Sequence, residues 1–294
     1  MRPTHSDPQT RAISHPVADH PSLLFCRRST KYIMLSLASL QTTAFAPAVV
    51  GRAAAPVMET KADLVSLSEK LNPVVGFWDP LSLASSEGLM GPSESDSIGW
   101  LRHAEIKHGR VAMAAFVGYC VQANGIHFPW ATSLNGMTYA DISAAGSPQA
   151  QWDAVPTNAK WQIFGLIAAL ELWGECAMDK HYMKGGKPGA YPSFGPIRDE
   201  IGHPNLDLFD PFGFSKNKTP EQKEKGLLVE INNGRLAQLG IMGFVAEARV
   251  PGSVPGLAGM NIAPYNGEVM APWGPGDTSV PFVDTMLAWQ APWN

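Results

Sequence analysis

The feature that most constrains this chain is an internal repeat. Ala-Glu-Ile-Lys-His-Gly-Arg-Val-Ala-Met (Ala104 to Met113) aligns with Val-Glu-Ile-Asn-Asn-Gly-Arg-Leu-Ala-Gln (Val229 to Gln238) at a constant offset of 125. Glu105 maps onto Glu230, His108 onto Asn233, Gly109 onto Gly234 and Arg110 onto Arg235. Small residues keep the same register, Ala112 with Ala237, Ala115 with Gly240 and Gly118 with Gly243. That spacing lets two helix backbones approach closely. Upstream, Phe77-Trp78-Asp79-Pro80-Leu81 is echoed by Leu208-Phe209-Asp210-Pro211-Phe212. The two copies are expected to form helices packed about a pseudo-two-fold axis.

The charges in the repeat demand partners. Within one helix Glu and Arg stand five residues apart, about 140° round the axis, and do not face each other. Across a two-fold axis Glu105 meets Arg235 while Arg110 meets Glu230, so crossed ion pairs are expected. The need is acute if the helices lie in a membrane, where each charge at mid-depth costs about 2.5–3.5 kcal/mol on insertion scales.

A membrane setting is what the composition suggests. Charged residues are 16% and apolar residues 45% of the chain, against about 25% charged in a typical soluble domain. Three helical segments are expected, at about 98–125, 161–178 and 224–249. At 1.5 Å per residue they are roughly 42, 27 and 39 Å long, against a hydrocarbon core of about 30 Å. Loop charge alternates as three spans require. Residues 126–159 and 250–294 hold no Lys or Arg, whereas the segment between Met178 and Gly226 holds eight, from Lys180 to Lys225. The expected fold is an all-α membrane protein, with the first and third of three transmembrane helices crossed, plus short amphipathic surface helices. A net charge of −4 excludes a nucleic-acid partner, which needs a basic face. Cys26, Cys120 and Cys176 form no metal or redox motif, and no nucleophile–base pair or phosphate loop marks an enzyme.

Each repeat carboxylate is expected to keep an oxygen beyond its ion pair, and His108 or Asn233 follows on the same side three residues later. Four lone pairs then face outward into an apolar setting. Hard Mg²⁺ takes oxygen donors, and a magnesium tetrapyrrole, needing one axial donor per metal, fits both the donors and their surroundings.

Residues 1–58 read as a plastid-targeting presequence, with 59–294 the folded domain. A short apolar run behind Lys31 has signal-peptide grammar. Thr-Thr-Ala-Phe-Ala-Pro (Thr42 to Pro47) is similar to the cleavage motif of two-part presequences of secondary red plastids.

The duplicated Glu-x-x-(His/Asn)-Gly-Arg resembles the signature of the light-harvesting chlorophyll-binding superfamily, over about residues 70–260. The resemblance implies that Glu105 and Glu230 each ligate a chlorophyll magnesium while pairing with Arg235 and Arg110, and that His108 and Asn233 ligate two more. Twelve residues beyond the second Arg, where the family often has a Gln ligand, stands Glu247, carried over as a ligand; Gln122 is its repeat mate. The middle helix, Trp161 to Glu171, is similar to that of the chlorophyll a/c branch, which makes Glu171 and Gln162 ligands. Gly174 stands where the green branch has an Arg, which points to the red lineage and to dinoflagellate-like or fucoxanthin-chlorophyll proteins. Glu175 is expected to face the surface, and His103, His127 and Cys120 to serve packing. The two Asp-Pro stretches are expected to help seat carotenoids.

The resemblance implies a multi-pass protein of the plastid thylakoid membrane, among thylakoid lipids. It would carry chlorophyll a, chlorophyll c and carotenoids of the peridinin, fucoxanthin or diadinoxanthin type. Excitation would pass to a photosystem I or II core, alongside other antenna subunits. A photoprotective quencher shares these ligands. A small proton-coupled transporter, with the repeat charges as its relay, is the reading from another class.

Overall fold

Two helices of 30 residues, each about 45 Å long by helical rise, form the frame: α2, Glu94–Ala123, and α6, Pro220–Arg249. Before α2 comes α1, Lys61–Leu71; between the long helices lie α3, Tyr139–Ser143, α4, Pro148–Ala154, and α5, Thr157–Cys176; α7, Val283–Ala288, follows in the tail. This computed structural model describes residues 59–86, 91–132, 136–195, 210, 212–269 and 271–288. The presequence expected over 1–58, Arg198 of the basic loop, and Leu208, Phe209 and Pro211 of the repeat lie outside them. Among the described residues the only extended pairing is an isolated bridge, Ala131 with Thr138.

All three main helices begin four residues before the expected position. The first turns are polar and carry no hydrophobic period, but they are built as helix starts. Ser93 caps α2 through the Asp96 N–H, with Glu94 and Asp96 at the positive end of the dipole. Thr219 and Gln222 form a reciprocal capping box on α6, with Pro220 in its first turn. α5 follows Pro156. α2 and α5 also end two residues early, at Ala123 and Cys176.

The long helices meet at the repeat glycines. A Cβ built on Gly109 would lie 3.0 Å from Gly234 Cα, and one on Gly234 would lie 2.9 Å from Gly109 Cα. Beyond this point Gly240 leaves room for the Phe116 ring, 2.8 Å from where its own Cβ would be, and Phe244 stacks on Phe116 and Tyr119 with centroids at 5.0 Å. α1 is tied to α6 by Asn232 Nδ2, which donates to Leu71 O at 3.2 Å.

α5 stands apart. It buries only Lys160 and Gly174, while Trp161, Leu166, Ile167 and Leu172 are exposed. Val111 and Val117 on α2 and Leu236, Leu239 and Met242 on α6 are exposed as well. By hydropathy, no described helix is long and apolar enough to cross a membrane. The expected three spans are thus without support from hydropathy: repeat charges interrupt α2 and α6, and α5 opens on Thr157, Asn158, Lys160 and Gln162.

The upstream echo is structural too. Asp79 accepts from Leu83 N–H at 2.9 Å and Ala84 N–H at 3.0 Å, and Asp210 accepts from Phe214 and Ser215 N–H at 2.7 and 2.6 Å. In each turn the residue three beyond the aspartate is left-handed, Ser82 at φ 53° and Gly213 at φ 73°.

Candidate functional site

The helix crossing presents four charges. Arg110 Nε donates to Glu230 Oε1 at 2.6 Å, and Arg235 Nε donates to Glu105 Oε1 at 2.7 Å. The pairs cross from helix to helix on either side of the glycine contact. The arginine side chains are 43% and 47% exposed and the carboxylates 27% and 25%. The pairs therefore lie on the flanks of the helix pair, where a bound group can reach them.

The two carboxylates are not equivalent. Glu230 Oε2 carries no hydrogen bond among the described residues, whereas Glu105 Oε2 accepts from Arg102 at 2.5 Å. Arg102 also lies 3.3 Å from Glu59, so charges alternate along Glu59, Arg102, Glu105 and Arg235. This corrects the expectation of one uncommitted oxygen on each carboxylate. The repeat mate of Arg102 is Leu227, which is why only the first copy carries the extra cation. Glu105 Oε2 still has a second lone pair.

His108 is exposed, and its Nδ1 lies 2.8 Å from Ala104 O. A carbonyl only accepts, so Nδ1 carries the proton and Nε2 keeps its lone pair facing outward, the tautomer a metal ligand needs. Asn233, its mate, is also exposed. His103, one turn earlier than Lys107, faces inward. It stacks on Tyr182 at 3.8 Å and accepts Gly189 N–H at 3.1 Å. Arg110 Nη1 donates to Gly189 O at 2.7 Å, so the strap through Lys187 and Tyr191 hangs on α2 by both groups of one peptide residue. Gly189 sits at φ 73°, a conformation glycine adopts without strain. Between the strap, α1, α2 and α6 lies a cavity of about 1000 Å³ with Leu64, Ile106, Leu170 and Ile231 in its wall, together with Glu171 and Glu230.

On α5, Gln162 is exposed and Glu171 Oε2 accepts from Lys107 Nζ at 2.5 Å. Lys107 lies 3.9 Å from Glu175 as well. The cation missing at Gly174 is thus replaced from another helix. Lys107 lies two residues beyond Glu105 in the repeat, yet its partner is 64 residues away, and no spacing rule connects them. Glu175, expected to face the surface, accepts from the Tyr182 hydroxyl at 3.1 Å and contacts His181 Nε2 at 2.9 Å.

Glu247 behaves differently from the other carboxylates. It is 9% exposed, and its oxygens accept Gly252 N–H at 2.7 Å and Val254 N–H at 2.9 Å. The turn after α6 takes both oxygens, so the side chain expected to be a ligand is a loop anchor in this structure.

A second polar centre holds the tail. Lys160, 0% exposed, donates to Asp277 Oδ2 at 2.6 Å. Asp277, 2% exposed, also accepts from the Thr157 hydroxyl at 2.5 Å and Gly274 N–H at 2.9 Å. Trp273 packs on Trp161 at 4.7 Å, and Trp152 Nε1 donates to Pro272 O at 3.0 Å. The Tyr265 hydroxyl donates to Asp153 at 2.7 Å; burial first, then this donation, raises its pKa above the ordinary value. This clasp contains none of the predicted site residues.

The chain is similar to known proteins. Residues 64–249 match the family described as chlorophyll A-B binding protein. The chain is 29% identical over 226 residues to a chloroplastic fucoxanthin-chlorophyll a-c binding protein of Trieres chinensis, covering 76% of this chain and 97% of that one. It is 34% identical over 178 residues to the F protein of the same name from Macrocystis pyrifera, 59% of this chain and 69% of the relative. Against the F protein of Phaeodactylum tricornutum the identity is 31%, over 60% of this chain and 76% of the relative. The matched residues contain both copies of the repeat and the whole of α5, and this chain belongs to the chlorophyll A-B binding protein family.

Proposed function

We propose that this protein is a light-harvesting antenna of the thylakoid membrane, binding chlorophyll a, chlorophyll c and carotenoid and passing excitation to a photosystem. The observation that carries the reading is the glycine crossing with its paired charges. It brings Glu105, Glu230, His108 and Asn233 to the flanks of one rigid helix pair while keeping the arginines neutralised. Among the described residues no three His, Cys, Asp or Glu side chains converge on a common point. Each of these side chains would hold a tetrapyrrole magnesium through a single donor atom.

The residues fit that group. His108 offers Nε2, Asn233 and Gln162 offer amide oxygens, and Glu230 offers an oxygen opposite its arginine. Glu171 offers the oxygen that Lys107 does not hold, and Glu105 offers the remaining lone pairs of oxygens held by Arg102 and Arg235. A cation beside each carboxylate offsets the cost of placing its charge in an apolar setting. Bound chlorophyll and carotenoid supply light absorption and excitation transfer. The chain supplies fixed positions, axial donors and the exclusion of water. The exposed leucines, valines and methionine of α2, α5 and α6 are the surface such pigments and thylakoid lipids would cover.

In this reading α2, α5 and α6 cross the membrane. The crossed pairs reduce the cost of their charges, and the loop asymmetry puts the basic segment on the stromal side and the C-terminal tail in the lumen. Protease added to right-side-out thylakoids should cut between Lys180 and Lys225 and spare the tail. Loss of a C-terminal epitope with a lumenal marker intact would refute that topology. The function is tested by reconstituting the full chain with chlorophyll a, chlorophyll c and fucoxanthin and recording absorption and excitation spectra. Carotenoid-excited chlorophyll emission is the expected result; a chain that takes up no chlorophyll refutes the proposal.

A further inference from the structure

The position twelve residues beyond each repeat arginine is Gln122 on α2 and Glu247 on α6, and the two copies use it differently. On α6 both carboxylate oxygens close the turn at Gly252 and Val254, and the glycine one turn earlier, Gly243, faces Leu257 of the following segment, 3.9 Å from where its Cβ would be. That face is covered. On α2 the hydrogen bonds at Gln122 run to its backbone carbonyl, from Gly125 N–H at 3.0 Å and Gln151 Nε2 at 3.2 Å. Its side-chain amide is uncommitted among the described residues, and a Cβ on Gly118, one turn earlier, would meet nothing within 4 Å. That face is open.

Gln122 borders a cavity of about 260 Å³ between α2, α6 and the start of α4, lined by Ala115, Gly118, Tyr119, Gln149, Ile241 and Val245. Most of the lining is apolar side chain, and the polar atoms in it lack partners. Tyr119 is 8% exposed and its hydroxyl is buried with no hydrogen bond. Gln149 lies beside it outside hydrogen-bond geometry, with both its amide atoms buried and unpaired. Buried hydroxyl and amide groups normally find partners, so two of them around one apolar cavity point to a ligand with an apolar body and polar atoms at its edge.

We propose that this face of α2 binds a further magnesium tetrapyrrole, with Gln122 Oε1 as its axial ligand and Glu247 taking no part. The inference rests on the pigment-binding reading above. An amide oxygen is the hard neutral donor that magnesium accepts. Gly118 and Ala115, one and two turns before Gln122, leave the helix face flat enough for a macrocycle to lie against it. The cavity seats one edge of the ring, where the Tyr119 hydroxyl and the Gln149 amide donate to peripheral carbonyls, and the rest of the ring lies outward toward lipid.

The test is reconstitution of the full chain with chlorophyll a, chlorophyll c and fucoxanthin, comparing wild type with Gln122→Leu, Gln122→His and Tyr119→Phe. Gln122→Leu should lose one chlorophyll per protein with carotenoid unchanged. Gln122→His should restore that chlorophyll and shift its red absorption band, because imidazole replaces the amide. Tyr119→Phe should keep the pigment number and shift the same band that Gln122→Leu deletes. Unchanged chlorophyll content in Gln122→Leu, or loss of carotenoid in place of chlorophyll, overturns the site. Wild type that takes up no chlorophyll refutes the underlying pigment-binding reading, so the two failures are told apart.

Discussion

Two ion-paired regions of this molecule use the same chemistry at the same distance and to different ends. At the helix crossing, Arg110 and Glu230 are 2.6 Å apart with side chains 43% and 27% exposed; in the tail clasp, Lys160 and Asp277 are 2.6 Å apart at 0% and 2%. Asp277 has both oxygens taken by three donors, whereas Glu230 keeps one oxygen free. A pair that is buried with both carboxylate oxygens engaged holds structure together. One that is half filled and lies on a flank can hold structure and bind.

The comparison breaks most sharply at the crossing. Arg110→Leu or Arg235→Leu leaves a carboxylate stranded on a surface that lipid and pigment are to cover. Removing one partner of a buried pair costs about 3–5 kcal/mol. Pigmented assembly should fail in both variants when reconstitution is followed by absorption and native gel; normal assembly in either would remove the crossing from the binding role. Lys160→Met should act next most strongly and only locally, at the lower end of that range, about 3 kcal/mol. The tail can peel away and hydrate Asp277, which limits the loss. Thermal melting should fall and Trp273 emission shift red, with pigment ratio unchanged; lost pigment would erase the distinction between the two regions.

Acid sharpens the same distinction at smaller cost. Burial pushes the Asp277 carboxyl up, but donation from Lys160, Thr157 and Gly274 outweighs it and holds the pKa below the ordinary value. A carboxyl with a depressed folded pKa contributes stability above its unfolded pKa and loses it as pH falls through the folded one. The clasp should therefore be intact at pH 5 and weaken only below about pH 3.9, the unfolded value, as read by proteolysis of the tail. Weakening between pH 7 and 5 would contradict the assignment. The smallest effect on the fold is expected from His108→Leu and Asn233→Leu, exposed positions where substitution changes stability by about 0.5 kcal/mol or less. Each should still lose about one chlorophyll. An unchanged pigment-to-protein ratio in both would make those side chains packing only.

The crossing was legible in the sequence because a fixed offset ties every partner to a mate. Once Glu105 and Glu230 are aligned, the geometry of a two-fold axis leaves Arg235 and Arg110 as their counter-ions. The same alignment held the asymmetry at Glu105, since Arg102 has only Leu227 for a mate. The helix starts were hidden because caps work through single polar residues and leave no period. The clasp and the Lys107–Glu171 bridge were not legible, because 117 and 64 residues separate their partners and nothing local marks them. Glu247 shows the remaining gap, as its position follows from spacing but its occupation by Gly252 and Val254 depends on the path of the next loop.

The paired Asp turns record how such a chain came to be. Asp79 stands 26 residues before Glu105, and Asp210 stands 20 before Glu230. Even so, both turns bind the N–H groups four and five residues on and place a left-handed residue at the third. Connector length differs between the copies, while the aspartate-held turn and the crossed Glu–Arg pairs are kept in both. A chain descended from a duplicated hairpin would have that record, with drift permitted only where no backbone partner is waiting. Ser82 is then the scar: it holds at φ 53° a place that Gly213 fills without strain in the sister copy. Glycine in place of Ser82 would take up that left-handed conformation without strain, as Gly213 does.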